Sequence, residues 1–248
     1  MSRAADCLVV IPARFGSTRF PAKVLAPLGG LPVVQWCWRA ARAAGVGPVL
    51  VATDDERVRL AVAAFGGQAV MTPASCASGS DRVERAARGR CEPLVINLQG
   101  DMPFIKPSTI RRVAQVLRRN PRADMATAVT PLRDERRAAD PNVVKAALTR
   151  DGRALYFSRS PIPYPRDGGP AARCEHLGIY GFRRRSLRRF VRLEPTDLER
   201  CECLEQLRAL EDGMSIFAAV VSERPVAIDT PADLGLAQRL LRSRKGPK

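Results

Sequence analysis

The 248-residue sequence has few aromatic residues and no long apolar run. An aromatic content of 5% offers few rings on which nucleic-acid bases stack. No apolar run approaches the roughly 18 residues that a membrane-spanning helix needs. The run at residues 7–12 is also too short for the core of a signal peptide. We therefore expect a cytoplasmic protein with neither a nucleic acid nor a membrane as partner.

The cysteines form neither a zinc pattern nor a disulfide pattern. There are seven, an odd number, and no C-x-x-C pair occurs; Cys201 and Cys203 come nearest, as C-x-C. Structural zinc sites use closely spaced cysteine pairs, and disulfide frameworks use even numbers. We expect reduced thiols in the core, as is typical of cytoplasmic proteins.

Positive charge is in large excess, with 41 basic against 25 acidic residues and a formal net charge of +16. Such an excess suggests a polyanionic partner. However, only five of the basic residues are lysines, and the arginines are spread along the chain, most densely at residues 183–189. A solvated, arginine-rich surface is the simpler interpretation. A basic nucleic-acid-binding protein without turnover is the alternative from another functional class.

Short β-branched runs alternate with helical patterns in the first 100 residues. The pattern predicts strands at residues 8–12, 48–53, 68–72 and 93–99, and helices at residues 32–45, 55–67 and 80–89. This alternation is typical of a parallel sheet with crossover helices, in which ligands bind at the carboxyl ends of the strands. We predict an α/β, Rossmann-like fold with a mostly parallel central sheet flanked by helices.

The pattern changes in the second half of the chain. Strand-like runs occur at residues 142–149, 154–159, 176–182 and 215–221, together with a Pro/Gly-rich segment at 161–172 and a predicted helix at 196–213. We predict a single domain over residues 1–238, divided into halves 1–130 and 131–238, the second with a smaller mixed sheet. The basic tail at residues 239–248 is predicted to be disordered.

The first predicted strand leads into a loop rich in cations and hydroxyl groups, namely Arg14, Ser17, Thr18, Arg19 and Lys23. Hydroxyl and backbone N–H groups bind phosphate oxygens, and Arg and Lys neutralise their charge. The loop has neither the P-loop pattern G-x-x-x-x-G-K-[ST] nor the dinucleotide-binding pattern G-x-G-x-x-G. Its chemistry favours a triphosphate site, and ordinary solvated charges are the alternative.

The loop pattern P-A-R-x-x-S-T-R-x-P-x-K-x-L resembles the signature loop of sugar nucleotidyltransferases, in particular the 3-deoxy-manno-octulosonate (Kdo) cytidylyltransferases. Further segments resemble this family in the same order, at residues 52–58, 78–82, 97–105, 154–159, 176–182, 204–208 and 228–234. The resemblance implies a GT-A-like nucleotidyltransferase fold and a homodimer. It also implies transfer of CMP from CTP to the anomeric hydroxyl of Kdo, with release of pyrophosphate, for lipopolysaccharide synthesis.

The resemblance assigns roles to individual residues in both halves of the chain. For the nucleotide these are Arg14, Ser17, Thr18, Arg19 and Lys23 at the triphosphate, and Ser78, Gly79, Arg82 and Gln99 near the cytosine. Arg14 and Lys23 are also assigned to catalysis, Lys23 by stabilising charge on the departing pyrophosphate. For the sugar they are Arg159, His176, Tyr180, Glu205 and Gln206. On its surroundings alone, His176, the only histidine, would be a core residue.

Two aspartates are candidate Mg²⁺ ligands and catalytic residues. Asp101 and Asp229 each follow an apolar run that is expected to end at one edge of the sheet. Attack at a phosphorus that carries several negative charges calls for hard cations held by oxygen ligands. Taken singly, each aspartate would be a turn or helix-cap residue. The resemblance of both favours a metal site.

The sequence departs from the family at several positions, which leaves the acceptor sugar open. Met102 stands where the family usually has an acidic residue, and Tyr164 where many relatives have tryptophan. The 8-amino analogue of Kdo and a sialic-acid-like sugar are therefore alternative acceptors. Sialic-acid cytidylyltransferases share the I-P-A-R start, but their loop typically reads S-K-G-x-x-x-K-N, whereas this chain has S-T-R-F-P-A-K-V.

Overall fold

The structure is a computed structural model that describes residues 6–17, 19–168 and 171–244. Its described residues divide into two compact units, the first made of residues up to 110 and from 225 onwards, and the second of residues between 111 and 224. These bounds differ from the predicted halves, because the C-terminal segment belongs to the same unit as the N-terminal sheet. Thr18 and residues 245–248 of the predicted tail lie outside the described residues.

The first unit contains a parallel sheet. Its elements are β1 (Cys7–Pro12), β2 (Pro27–Leu28), β3 (Leu31–Pro32), α1 (Val33–Ala44), β4 (Val49–Thr53), α2 (Glu56–Ala64), β5 (Gln68–Met71), α3 (Gly79–Ala87) and β6 (Leu94–Leu98), after which α4 (Pro107–Arg119) leads into the second unit. The strands β6, β1, β4 and β5 are neighbours in that order, and all three pairings are parallel. The predicted α/β class with a mostly parallel sheet is confirmed.

The sequence forms these elements for local reasons. Every residue of β1, β4 and β6 is buried, as expected for aliphatic strands covered on both faces. Asp55 caps α2 by accepting a hydrogen bond from the Arg57 N–H, and Ser78 and Asp81 form a capping box that begins α3. Gly45, in the left-handed region, ends α1.

The strands of the second unit are mixed in direction, as predicted. Its elements are β7 (Met125–Leu132), α5 (Glu135–Ala139), β8 (Lys145–Leu148), β9 (Ala154–Ser158), β10 (Arg173–Arg183), α6 (Arg184–Phe190), α7 (Asp197–Glu202), α8 (Gln206–Glu211) and β11 (Ile216–Val220). Strand β7 pairs in parallel with β11 and antiparallel with β10. Strand β8 is antiparallel to both β9 and β10. Helix α9 (Pro231–Arg244) follows and belongs to the first unit.

Two predicted features of the C-terminal half are wrong. The single helix over residues 196–213 is two helices, because Cys203 between α7 and α8 has a left-handed backbone, with φ 52°. Residues 239–244 are not a disordered tail but the last part of α9. That helix is held by its apolar side, since Ala237 and Leu241 are buried in a cluster that includes Leu28.

The cysteines are only partly where they were expected. All seven are free, but only Cys7 and Cys37 are buried. The expectation of core thiols is wrong for Cys91, Cys201 and Cys203, which are exposed. Among the described residues, no helix combines the length and the apolar character that crossing a bilayer requires.

Candidate active site

The loop after β1 folds back on itself and brings Lys23 to the carboxyl end of the strands. The Ala13 N–H donates to the Ala52 carbonyl (2.8 Å), and the Ala22 N–H donates to the Phe15 carbonyl (3.0 Å). Ala22 has a left-handed backbone (φ 57°), which few non-glycine residues adopt, and a short 3-10 helix at Lys23–Leu25 follows it. The loop thus fixes the direction in which the Lys23 side chain leaves the chain.

Asp101 and Asp229 meet at the ammonium group of Lys23. The distances from Lys23 Nζ are 2.5 Å to Asp101 Oδ2 and 2.8 Å to Asp229 Oδ1. Asp101 follows β6, and Asp229 lies just before α9. A hydrogen bond from the Ile228 N–H to the Asp101 carbonyl (2.9 Å) joins the two segments. The structure therefore brings together the two aspartates that the sequence singled out.

The charges of this cluster shift the pKa values of Lys23 and Asp229. Burial alone would lower the pKa of Lys23, but Asp101 and Asp229 outweigh it and raise that pKa. Burial alone would raise the pKa of Asp229, but Lys23 and then Arg19 outweigh it and lower that pKa. Arg19 Nη2 lies 3.3 Å from Asp229 Oδ2. At neutral pH, Lys23 is therefore a cation and Asp229 an anion.

Gly100 allows the segment that carries Asp101 to approach β1. A Cβ atom on Gly100 would lie 2.8 Å from the Pro12 carbonyl oxygen, which is closer than real Cβ contacts allow. Any other residue would push the segment away from the end of β1. The glycine in this Q-G-D sequence is therefore required by packing.

A cavity of about 280 Å³ lies beside this cluster in the first unit. Eight of the predicted residues line it: Arg14, Lys23, Ser78, Gly79, Arg82, Gln99, Asp101 and Asp229. Ser17 and Arg19 are not among the lining residues, and Thr18 is outside the described residues. Met102 does not line the cavity either and is buried.

Arg82 and Gln99 are held by neighbours that the sequence did not reveal. Arg82 is buried and donates to Asp54 Oδ2 (2.7 Å) and Thr72 Oγ1 (2.6 Å). Gln99 Nε2 donates to Asn97 Oδ1 (3.1 Å). Asp54 directly follows β4, so its place at a strand end was the one available signal. These bonds fix the orientation of two side chains predicted to face the cytosine.

The five predicted sugar-binding residues all lie in the second unit. The pairing of β10 with β7 is interrupted between Leu177 and Tyr180, where β10 has two extra residues. An even number of extra residues preserves the alternation of side chains. His176 and Tyr180 therefore lie on one face, with ring centroids 5.4 Å apart, and Phe157 packs against His176.

The His176 ring is neutral and makes a hydrogen bond with the Thr127 hydroxyl. His176 Nε2 lies 2.9 Å from Thr127 Oγ1. Thr127 Oγ1 also lies 2.8 Å from the Ile179 carbonyl, which can only accept, so we assign the ring proton to Nε2, the arrangement that lets Thr127 make both bonds. Burial lowers the pKa of His176 to about 3. At neutral pH, Nδ1 is thus an acceptor.

This low pKa predicts a pH-dependent loss of stability. The unfolded chain binds a proton at His176 below about pH 6.5, whereas the folded chain does so only near pH 3. Stability should therefore fall as the pH is lowered through this range, by at most about 1.4 kcal/mol per pH unit for one proton. Denaturant unfolding between pH 4 and 7 should show a steeper loss in the wild type than in His176→Gln, which retains a donor to Thr127. A ring that titrates near pH 6.5 by NMR would contradict this result.

Tyr180 and Gln206 form a buried polar pair. The Tyr180 hydroxyl donates to Gln206 Oε1 (2.9 Å), and Gln206 is 3% exposed. Burial, with a smaller contribution from the charge of Glu205, raises the pKa of Tyr180. Among the described residues, Gln206 Nε2 has no hydrogen-bond partner. A buried donor without an acceptor costs about 1–3 kcal/mol.

Arg159 has bonds that the sequence did not predict. Its guanidinium donates to the backbone carbonyls of Glu202 (2.6 Å), Pro141 (2.8 Å) and Cys203 (3.4 Å). The side chain therefore holds together the chain around the break between α7 and α8. Its role as a cation for the sugar stays a prediction, and so does the role of Glu205, which lies directly before α8.

Comparisons with known proteins agree on one family. The sequence profile described as cytidylyltransferase matches residues 8–216. A 3-deoxy-manno-octulosonate cytidylyltransferase of Elusimicrobium minutum is 48% identical, over 96% of this chain and 99% of the relative. An 8-amino-3,8-dideoxy-manno-octulosonate cytidylyltransferase of Shewanella halifaxensis is 44% identical, over 94% of this chain and 97% of the relative.

A solved structure gives the same result for the fold. The structure of CMP:2-keto-3-deoxy-manno-octonic acid synthetase complexed with CTP superposes with a TM-score of 0.92 and 40% identity. The superposition covers 96% of this chain and 99% of the other. The sequence identity, the coverage and the superposition confirm the resemblance read from the motifs. The chain belongs to the cytidylyltransferase family, in the group of the 3-deoxy-manno-octulosonate cytidylyltransferases.

Proposed function

We propose that this chain transfers CMP from CTP to the anomeric hydroxyl of Kdo and releases pyrophosphate. The observation that carries the proposal is the meeting of Lys23 with Asp101 and Asp229 on the wall of one cavity. The same cavity is lined by Arg14 and by the anchored Arg82 and Gln99. This arrangement offers charge for a triphosphate and hydrogen-bonding groups for a base.

The cations of the loop act on the phosphates. Arg14 and Lys23 line the cavity, and Arg19 is exposed next to Asp229. As the bond to pyrophosphate breaks, negative charge builds up on the leaving group, and cations fixed beside it stabilise that charge. The sugar hydroxyl attacks the α-phosphorus directly, so no side chain of the protein becomes covalently attached.

We also propose Mg²⁺ as the cofactor, held by Asp101 and Asp229. Mg²⁺ in nucleotide enzymes is usually bound by one or two carboxylates together with substrate phosphates. Two carboxylates that already converge on a cation, Lys23, fit this donor set. Within the described residues, no group of three or more acidic, His or Cys side chains is placed to hold a metal ion, so we expect substrate phosphates to add to the two carboxylate ligands. When bound with CTP, the ion would neutralise phosphate charge and polarise the attacking hydroxyl.

The acceptor is proposed to bind to the second unit. His176 Nδ1, the Tyr180–Gln206 pair and Glu205 offer hydrogen-bonding groups for sugar hydroxyls, and Arg159 offers a cation for the sugar carboxylate. The unpartnered, buried Gln206 Nε2 supports a polar ligand here. The 8-amino analogue of Kdo is the second candidate, because a relative of that name is 44% identical. A homodimer in the cytoplasm and a place in lipopolysaccharide synthesis are part of the same proposal.

Pyrophosphate release measured with each nucleotide, with and without an acceptor, tests this function. We expect release only when CTP, an acidic octulosonate sugar and Mg²⁺ are all present, and faster with Kdo than with its 8-amino analogue or sialic acid. Specificity for these substrates arises because the hydrogen bonds to the base and to the sugar are all made only with CTP and an acidic octulosonate sugar. Release that is independent of the sugar, or equal with all four nucleotides, would contradict the proposal. Binding to nucleic acid without any turnover would favour the alternative class.

A further inference from the structure

A cluster of polar side chains joins the end of β9 to the break between α7 and α8. It consists of Lys145, Ser158, Arg159 and Glu202, all in the second unit. Lys145 and Ser158 are buried, and Glu202 is partly buried. The sequence assigned a function to Arg159 alone. A buried charge costs free energy unless it is paired and hydrogen-bonded, so the burial of Lys145 and the partial burial of Glu202 need an explanation.

Both carboxylate oxygens of Glu202 accept hydrogen bonds from the end of β9. Ser158 Oγ donates to Oε1 (2.5 Å), and the Arg159 N–H donates to Oε2 (2.8 Å). The Arg159 side chain returns to the same place, since its Nε donates to the Glu202 carbonyl (2.6 Å). Charge-assisted bonds in both directions fix the strand end to the helix end more firmly than neutral bonds would.

Lys145 holds the other side of the same peptide. Its ammonium donates to three backbone carbonyls, those of Val143 (2.6 Å), Asp140 (3.1 Å) and Arg159. These bonds use all three donors of the group. Burial lowers the pKa of Lys145. Lys145 thus fixes the carbonyl of Arg159 while Glu202 fixes its N–H, so both polar groups of this residue's main chain are held.

The cluster includes Arg159 and is connected through neighbouring residues of the chain to the other predicted sugar-binding residues. Glu202 is followed by the left-handed Cys203, then by Glu205 and by Gln206, whose Oε1 accepts from Tyr180. On the other side, the Val144 carbonyl next to Lys145 accepts from the His176 N–H (2.8 Å). A shift of Glu202 would therefore move Arg159, the start of α8 and the Tyr180–Gln206 pair together.

We infer that Glu202 and Lys145 are positioning residues that set the geometry of acceptor-sugar binding without touching the sugar. The inference rests on the proposed function, because the five sugar-binding residues are themselves proposed. The physical reason is that the attacking hydroxyl oxygen of the sugar must be held within a fraction of an ångström of its line of approach to the α-phosphorus. Glu202 and Lys145 fix the position of the end of β9 relative to the break between α7 and α8.

The matched pair Glu202→Gln and Asp197→Asn tests this inference. Asp197 lies on the same helix with a side chain that is 99% exposed, so Asp197→Asn removes an equal charge without touching the cluster. An amide has only one acceptor oxygen, so Glu202→Gln leaves either Ser158 or the Arg159 N–H without an acceptor. We expect the KM for Kdo to rise about tenfold or more, with the KM for CTP unchanged and Asp197→Asn like the wild type.

The ring signals of His176, the only histidine, give a readout that does not depend on turnover. Glu202→Gln should shift these NMR signals, and Asp197→Asn should not. Ser158→Ala removes one of the two hydrogen bonds to the Glu202 carboxylate, so we expect a smaller shift of the His176 signals and a smaller rise of the KM for Kdo. This variant also tests the inference if Glu202→Gln folds poorly. A wild type that does not use Kdo would refute the proposed function, and the His176 signals would still decide on the positioning role. Unchanged signals with an unchanged KM for Kdo, or equal rises in both KM values, would overturn the inference.

Discussion

Asp101→Asn and Asp229→Asn are each expected to lower turnover by about 100-fold or more, while the protein stays folded. Each substitution retains the size of the side chain but removes one of the two negative charges that meet at Lys23. If these carboxylates bind the Mg²⁺ that accompanies CTP, an amide oxygen is a much weaker ligand for this hard cation. The remaining activity should need more Mg²⁺ and respond to it less steeply.

The measurement is the initial rate of pyrophosphate release over a range of Mg²⁺ concentrations, together with the melting temperature. Asp151→Asn is the control for loss of a carboxylate, because Asp151 lies in the second unit with an exposed side chain. It should behave like the wild type. Wild-type rates in either active-site variant, or full wild-type activity in excess EDTA, would rule out the proposed metal site.

Much of the first unit can be predicted from sequence because its strands are local features. The aliphatic runs of β1, β4 and β6 are buried along their whole length, and such runs indicate a parallel sheet. The break at Cys203 could not be predicted in the same way. The left-handed turn there is fixed by Arg159, which donates to the Cys203 carbonyl from 44 residues away in sequence. Local helical periodicity contains no information about such a partner.

The candidate site shows the same division between local and tertiary information. Lys23 and Asp101 could be found from the chemistry of their own segments, since Lys23 lies in the loop that follows β1 and Asp101 lies three residues after β6. The roles of Lys145 and Glu202 could not, because each depends on partners elsewhere, such as Ser158, 44 residues from Glu202. Asp54 also lies at a strand end, but its partner Arg82, 28 residues away, could not be predicted from that position. A charged residue in a helical pattern reads as solvated surface until its partner is known.

Lys23→Met is expected to lower turnover by on the order of 100-fold, with a smaller effect on the affinity for CTP. The reason is that negative charge on the pyrophosphate is greatest in the transition state, so the interaction lost is worth more there than in the bound substrate. Arg14→Ala should change the kinetics in the same direction, because Arg14 lines the same cavity. If both variants changed only the KM for CTP, the loop would be a binding clamp and the catalytic assignment would be wrong.

A second effect of Lys23→Met separates its electrostatic role from general damage to the loop. In the absence of substrate, the Lys23 ammonium group donates hydrogen bonds to both Asp101 and Asp229 and offsets their negative charge, and its side chain is 13% exposed. Without it the two carboxylates repel each other, so the melting temperature should fall in the absence of divalent ions. Added Mg²⁺ should then raise the melting temperature of Lys23→Met more than that of the wild type, because the metal no longer competes with an internal ammonium group.

Arg19→Gln is the matched control, since Arg19 contacts Asp229 from a more exposed position, and its response to Mg²⁺ should lie close to that of the wild type. A Lys23→Met protein whose stability is indifferent to Mg²⁺ would show that the two carboxylates do not form a cation site.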